Sequence, residues 1–426
     1  MDNTHHVRPP RGRRVAALAA VTALVLVVAA CSSSKPGTSS STPTGGGSAI
    51  FGTPHAATGA TLKVGYITDG QNGSINNLTE IPSAQAAVKY VNAYLGGIAG
   101  DVLSLDICDN HGTPSGATTC ANQMIADKVP VVLNNVSAED STIYTALSAA
   151  GVPYVAYQTA VAAELLGKHS YVLTNGLASS FAGPAKVAQN VKAKRAAQLV
   201  INVPAAAGPA QQLDPILYKN AGVPVDVVPI APGTPDMTPQ VQAEISKGVD
   251  IFAVLGDVSF CTSALKALKT LNYTGPITLI AQCISSGSSA GIPGGYAGDI
   301  VITVASTAAN DPDVQLYEAA MKQWAPGTGP FANGVTQGGF ATVLAFARSM
   351  KGLTLPATSA SIEAAFAAMP PTPLPFGGGG TIQCNGKQVS ITPAICSAGA
   401  LSASLDAQGN PTGSFTPLDV SSLLKL

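Results

Sequence analysis

The residues that could do chemistry sit in short polar clusters directly behind apolar runs. Thr68, Asp69, Gly70, Gln71 and Asn72 follow Leu62–Ile67; Asn134, Asn135 and Ser137 follow Val131–Leu133; Tyr157, Gln158 and Thr159 follow Val152–Ala156. Carboxylates, amides and hydroxyls of this kind hold a small solute by hydrogen bonds. Two motifs suggest more than binding, and both fail. Gly287–Gly291 fits G-x-S-x-G, the strained elbow that carries the serine of α/β-hydrolases between a strand and a helix. Here Ile284–Gly287 separate it from the preceding strand, and Ile292-Pro293-Gly294-Gly295 cannot open a normal helix. The last histidine, His169, also precedes the serine, whereas that fold needs it afterwards. Gly377–Gly380 lacks the Gly-Lys-Ser/Thr ending of a phosphate loop and reads as a crossover between lobes. His111 and His169 are isolated and read as surface or loop residues, so the chain shows neither a metal motif nor a cofactor motif.

The elements that must position these clusters alternate in type. Val131–Leu133 reads as a buried strand, Ser137 and Asp140 as a capping-box-like helix start, and Ile143 and Leu147 as its buried face before Gly151. Val152–Ala156 is the next strand, so the unit is strand, helix, strand. Upstream lie a strand at Leu62–Ile67 and a helix carrying Ala84, Ala87, Val88, Val91 and Leu95 on one face, closed by Gly96-Gly97. A strand at Leu103–Ile107 and a helix over about 115–127 complete that half. Downstream, strands at Leu199–Val203, Val225–Ile230, Ile251–Leu255, Ile277–Ala281 and Ile300–Val304 alternate with helical stretches. This alternation predicts an α/β protein with doubly wound parallel sheets, and the number of strands predicts two lobes. In such sheets ligands bind beyond the carboxyl ends of the strands, where the polar clusters lie.

Composition narrows the class. With 426 residues, 11% charged and a net charge of −1, the chain has no basic face for nucleic acid. Of seven cysteines, Cys31 stands apart and six fall into local pairs: Cys108 with Cys120, Cys261 with Cys283, Cys384 with Cys396. None forms C-x-x-C, and three disulfides in an exported protein are expected. Arg8, Arg11, Arg13 and Arg14 precede an apolar run from Val15 to Ala30, a signal-peptide pattern over 1–30. Val28-Ala29-Ala30-Cys31 resembles a lipobox, which predicts a lipid on Cys31 and attachment to a membrane through it. A Ser-, Thr-, Gly- and Pro-rich tether then runs over 31–61, with a reach of roughly 30 Å as a flexible coil.

Taken in order, several segments resemble the type I periplasmic binding proteins of the branched-chain amino-acid-binding (leucine-binding) family. They are Leu62–Tyr66, Ala86–Gly100, Cys108–Ala117, Gly151–Val155, Phe376–Ile382 and Asp406–Pro411. The resemblance implies two lobes joined by three crossovers, with 62–177 plus 305–372 in lobe one and 178–304 plus 373–426 in lobe two. It implies a ligand carboxylate held by lobe one at Ser137, Gln158 and Thr159, with Asp69 and Asn135 at the same edge. In lobe two, Gln282 and Cys283 stand where the family has an acidic residue, so Asp257 and Gln282 are the candidate contacts; as an N-cap, Asp257 has an equally good structural reason to be there. As loop-end residues, Ser137 and Thr159 are expected to matter more for binding than for folding. The implied function is that of an extracytoplasmic receptor, not an enzyme, delivering a small ligand to an ABC permease; the alternative is a sensor ectodomain of the same fold.

Overall fold

A computed structural model of the chain describes residues 48–425 apart from 73–75, 160, 177, 286 and 329–333. The expected signal segment, Cys31 and the first part of the tether lie outside the described residues. The end of the tether is not free. Its short helix α1 (Ser48–Phe51) buries Phe51 against Tyr90, Tyr94 and Trp324, with ring centroids 6.0, 5.1 and 5.1 Å away. His55 N–H then donates to Ala93 O at 3.0 Å and Ala57 N–H to Asn92 O at 2.8 Å. One bulky aromatic in an otherwise small and polar segment is enough to dock it.

The first lobe is built on β1 (Thr61–Thr68), α2 (Glu80–Tyr94), β2 (Val102–Asp109), α3 (Pro114–Ala126), β3 (Val132–Asn134), α4 (Asp140–Ala149), β4 (Tyr154–Ala156), α5 (Ala162–Leu166) and β5 (Ser170–Val172). Its strands run parallel in the order β2-β1-β3-β4-β5, so the direction of winding reverses between β1 and β3. Along β1, burial alternates at first and is continuous from Val64 onward, as it must be once helices cover both faces. Val64 and Tyr66 pack into the core on the α2 side, whereas Ile67 packs with Met124, Ile143 and Leu147 of α3 and α4. β5 is only three residues long, too short to give a periodic signal in the sequence.

The second lobe follows with α6 (Gly183–Asn190), β6 (Ala196–Ile201), α7 (Pro204–Ala221), β7 (Val225–Ile230), α8 (Thr238–Ser246), β8 (Ile251–Leu255), α9 (Val258–Thr270), β9 (Ile277–Ile280) and β10 (Ile300–Thr303). β6 lies earlier than its apolar run suggests, because Pro204 in the first turn of α7 ends the strand. The chain then returns to the first lobe through α10 (Pro312–Trp324), α11 (Gly334–Ser349) and α12 (Ser359–Ala368), whose Tyr317, Phe340, Phe346 and Phe366 join the core around β1.

The last exchange departs from expectation. Residues 373–396 pack on the first lobe rather than the second. A hairpin of β11 (Thr372–Pro373) and β12 (Thr381–Ile382) encloses Gly377–Gly380, which is therefore a turn within this lobe and not a crossover. Phe376, Ile382, Cys384 and Cys396 lie in the first lobe's core, and Ile395 bridges Val172 at the end of β5. Only then do β13 (Ala400–Ser404), antiparallel to β10, and β14 (Thr416–Leu418), antiparallel to β13, complete the second sheet in the order β14-β13-β10-β9-β8-β6-β7.

All three expected disulfides are present, with Cα–Cα distances of 5.6 Å for Cys108–Cys120, 5.3 Å for Cys261–Cys283 and 4.3 Å for Cys384–Cys396. Among the described residues, no helix is long and apolar enough to cross a membrane.

Candidate functional site

The carboxyl ends of β1, β2, β3 and β4 bring Asp69, Asn110, Asn135, Ser137, Gln158 and Thr159 to one edge of the first sheet. The centre of this edge is a closed network. Asp69, 2% exposed, accepts from the Ser137 hydroxyl, from Asn110 Nδ2 at 3.0 Å and from the Ala138 N–H at 2.8 Å. Ser137 Oγ in turn accepts from the Glu139 N–H at 3.0 Å. The expected capping box between Ser137 and Asp140 does not form. The helix begins two residues later, with Glu139 as its cap, because Ser137 is engaged by Asp69 and the Asp140 side chain turns inward to accept from Tyr154 Oη at 2.8 Å.

Gly70 makes the strand end possible. Its φ of +52° is left-handed, and a Cβ there would come within 2.0 Å of the Asp109 carboxylate. On the far side, α11 lies so close that a Cβ on Gly338 would sit 2.1 Å from Asn135 Oδ1. Asn135 Nδ2 donates to Val335 O at 3.3 Å, fixing the side chain against that helix. Gln158 is half-buried, with its N–H on Asn135 O at 3.1 Å, and Thr159 Oγ1 accepts from the Val161 N–H at 3.1 Å. Ser137 and Thr159 are thus buried members of the fold rather than open loop ends, because their hydroxyls hold backbone turns.

Three further carboxylates are buried beside this edge, of which the sequence marks only Asp140, as part of a helix start. Glu80, in the first turn of α2, accepts from Tyr66 Oη and from Thr68 Oγ1 at 3.1 Å. Burial pushes its carboxyl up to about 8 against these hydrogen bonds. Burial likewise raises Asp140 to about 6, with the Tyr154 hydroxyl opposing. Glu164 rises to about 8 through burial and the neighbouring Asp140. Neither Glu164 oxygen has a partner in hydrogen-bond geometry, although the Thr159 hydroxyl is near enough to soften the rise. The ion pairs that Lys and Arg form among the described residues lie elsewhere.

On the second sheet, Asp257 follows β8 and Gln282 follows β9, both exposed. Asp257 caps α9, accepting from the Phe260 N–H at 2.9 Å. Cys261–Cys283 ties the start of that helix to the turn holding Gln282. The Ser137 hydroxyl does donate to the Asp69 carboxylate, but that carboxylate is also taken by Asn110 and the Ala138 N–H, so the pair serves the turn. Ser289, of the hydrolase-like motif, lies in a short 3-10 turn after β9. His169 pairs with Glu363 at 2.6 Å, away from the network, and His111 with Asp109 at 3.2 Å, on either side of Asn110. Among the described residues no His, Cys, Asp or Glu cluster could hold a metal ion. A concavity of about 480 Å³ lined by His55, Tyr94, Arg348 and Lys351 sits at the opposite, amino-terminal end of β2, so hollowness alone does not select the site.

The buried carboxyls give the stability a definite pH dependence. Folded, Glu80, Asp140 and Glu164 hold protons that the unfolded chain has released above the ordinary carboxylate range near pH 4. Their contribution is therefore complete below that range and is lost as pH rises through about 6 for Asp140 and about 8 for the two glutamates. Thermal unfolding between pH 5 and 9 should show a melting temperature that falls as pH rises, with a shallower fall in Glu164→Gln. A wild-type profile that climbs over this interval, or an unchanged slope in the variant, contradicts the assignment.

Comparison with known proteins agrees with this architecture. The family model described as periplasmic binding protein matches residues 61–392. No curated protein matches the sequence. Among solved structures, an ABC transporter substrate-binding protein from Sphaerobacter thermophilus is similar at a TM-score of 0.64 and 15% identity, covering 84% of this chain and 96% of that one. The branched-chain amino acid transporter substrate-binding protein LivJ from Streptococcus pneumoniae, in complex with isoleucine, gives 0.58 at 16% identity, covering 84% and 99%. An ABC transporter solute-binding protein from R. palustris, in complex with 4-hydroxybenzoate, gives 0.61 at 14% identity, covering 83% and 95%. At such identities the likeness concerns the fold. It is the family match that places the chain: with two wound lobes and polar strand ends, it belongs to the periplasmic binding proteins of type I fold, a family of solute-binding proteins and not of enzymes.

Proposed function

We propose that this protein is the lipid-anchored, extracytoplasmic receptor of an ABC importer and that it holds a small organic or amino-acid-like solute between its two lobes. The observation that carries this reading is the gathering of polar side chains at the carboxyl ends of both sheets, in a chain whose family binds solutes. Lobe one offers Asn135, Gln158 and Thr159, positioned by the Asp69–Ser137 network; lobe two offers Asp257 and Gln282. Transport as the purpose is supported by the similar structures, which are described as ABC transporter proteins. Closure of the lobes on the solute is a hinge motion through the crossovers. It is favoured only by as much as the solute binds the closed form better than the open one.

Attachment rests on Val28–Cys31 and the basic, apolar segment before it. Replacing Cys31 with Ser should shift the protein from the membrane fraction to the medium, or leave it as an unprocessed precursor. Unchanged mature mass and fractionation would sink the lipid anchor.

A thermal-shift screen across amino acids, amides, small organic acids and aromatic acids should return a solute that raises the melting temperature by mass action. Gln158→Ala should weaken that solute about two- to tenfold in calorimetric titration, the effect of losing one neutral hydrogen bond. Wild-type affinity in both Gln158→Ala and Asp257→Asn would move the site away from these strand ends.

A further inference from the structure

The turn before α4 has the donors of an anion seat, and the seat is taken. The Ser137 hydroxyl, the Ala138 N–H and the Asn110 amide converge on one point. Such a set of charge-assisted donors grips both oxygens of a carboxylate at once. Here the carboxylate is the chain's own: Oδ1 of Asp69 takes the Ser137 hydroxyl and Asn110, and Oδ2 takes the Ala138 N–H. The neighbouring N–H of Glu139 is also used, on Ser137 Oγ at 3.0 Å, and that of Asp140 reaches Ser137 O at 3.4 Å.

Asp69 cannot readily swing out to admit another anion. It is 2% exposed, and the residue after it is a left-handed glycine wedged against Asp109. Gly70 O is itself held by the Asn77 N–H at 2.7 Å, so the backbone is pinned on the far side of the turn. A second carboxylate beside Asp69 would meet like charge at hydrogen-bond distance, where one of two such groups must give up its ionisation. The carboxyls buried in the same lobe, Glu80, Asp140 and Glu164, bring no positive charge to offset this.

We infer that Asp69 is a resident carboxylate filling the anion seat of lobe one. The solute therefore meets this lobe with an amide, amine or hydroxyl, not with an acid. This ligand class rests on the solute-receptor reading above, whereas the filled seat itself does not. It also sets this chain apart from the isoleucine- and 4-hydroxybenzoate-bound proteins of like fold, whose ligands are acids.

Two arms separate the claims. In the first, Asp69→Ala empties the seat while keeping its donors. Millimolar acetate should then raise the variant's melting temperature well beyond chloride at equal ionic strength, and should leave the wild type no different from chloride. A variant that acetate stabilises no more than chloride overturns the inference. In the second, full-length wild type and variant are titrated calorimetrically with isoleucine against isoleucinamide, and 4-hydroxybenzoate against 4-hydroxybenzamide. The wild type should bind an amide at least about tenfold more tightly than its acid, and the variant should reverse the order. A wild type that binds an acid as tightly as its amide overturns the ligand class. If acetate acts as expected yet none of the four compounds binds either protein, the filled seat stands and the receptor reading is what fails. Should Asp69→Ala not fold, Asp69→Asn keeps the shape without the charge and should narrow the acid–amide preference at least threefold; an unchanged preference again overturns the inference.

Discussion

One buried carboxylate organises the carboxyl edge of the first sheet. Asp69 stands at the end of β1, the strand about which the first sheet reverses its winding, and draws in a hydroxyl and an N–H from the turn before α4 and an amide from beyond β2. Three segments distant in sequence are thereby held at one point. Without that carboxylate, the Ser137 hydroxyl would be a buried donor with nothing to receive it, the part-buried Ala138 N–H would lose its acceptor, and Asn110 would keep only its longer bond to Ser137 Oγ at 3.3 Å. A buried orphan of this kind costs about 1–3 kcal/mol. Gln158 is placed separately, its N–H hanging from Asn135 O one strand away, with Asn135 itself held by Val335 O.

The acids around Asp69 survive burial by a different route. A carboxylate sealed from water without a cation is too costly to keep ionised, and the group takes a proton instead. Glu80 has two hydroxyl donors and still rises to about 8; Glu164, with no partner in hydrogen-bond geometry, rises as far. Asp69 differs in having three donors and in resting at the turn leading into a helix. The edge thus holds one buried, fully hydrogen-bonded acceptor beside acids whose carboxyls burial pushes up. It is polar and shaped, but it offers an incoming anion little.

Much of this was legible in the residues. Apolar runs followed by polar clusters marked the strands and their carboxyl ends, because a parallel sheet buried on both faces leaves only its strand ends free to be polar. Local cysteine pairs marked the bridges. Asp69, Asn135, Ser137, Gln158 and Thr159 do gather at one edge. The partnership of Asp69 with Ser137 was not legible, since 68 residues separate them and either could serve a ligand alone. Glu80 looks like an ordinary acid in a helix's first turn, and Asp140 like a cap. Glu164, in Ala-Ala-Glu, looks like a solvated surface residue. For Glu80 the burial comes from a helix supplied much later in the chain, where Gly338 and Gly339 of α11 close over Asn135 and Glu80. The lobe assignment of 373–396 went astray for a related reason. A glycine-rich stretch reads as a linker, and only the packing of Phe376 and Ile382 reveals a turn inside one lobe.

The most direct test of this account is a crystal structure of the protein with the solute recovered from a ligand screen. Asp69 should remain on Ser137, Ala138 and Asn110, with the solute lying beside Asn135 and Gln158 and offering them a neutral or cationic group. A solute carboxylate seated on the Ser137 hydroxyl and the Ala138 N–H, with Asp69 displaced, would contradict it.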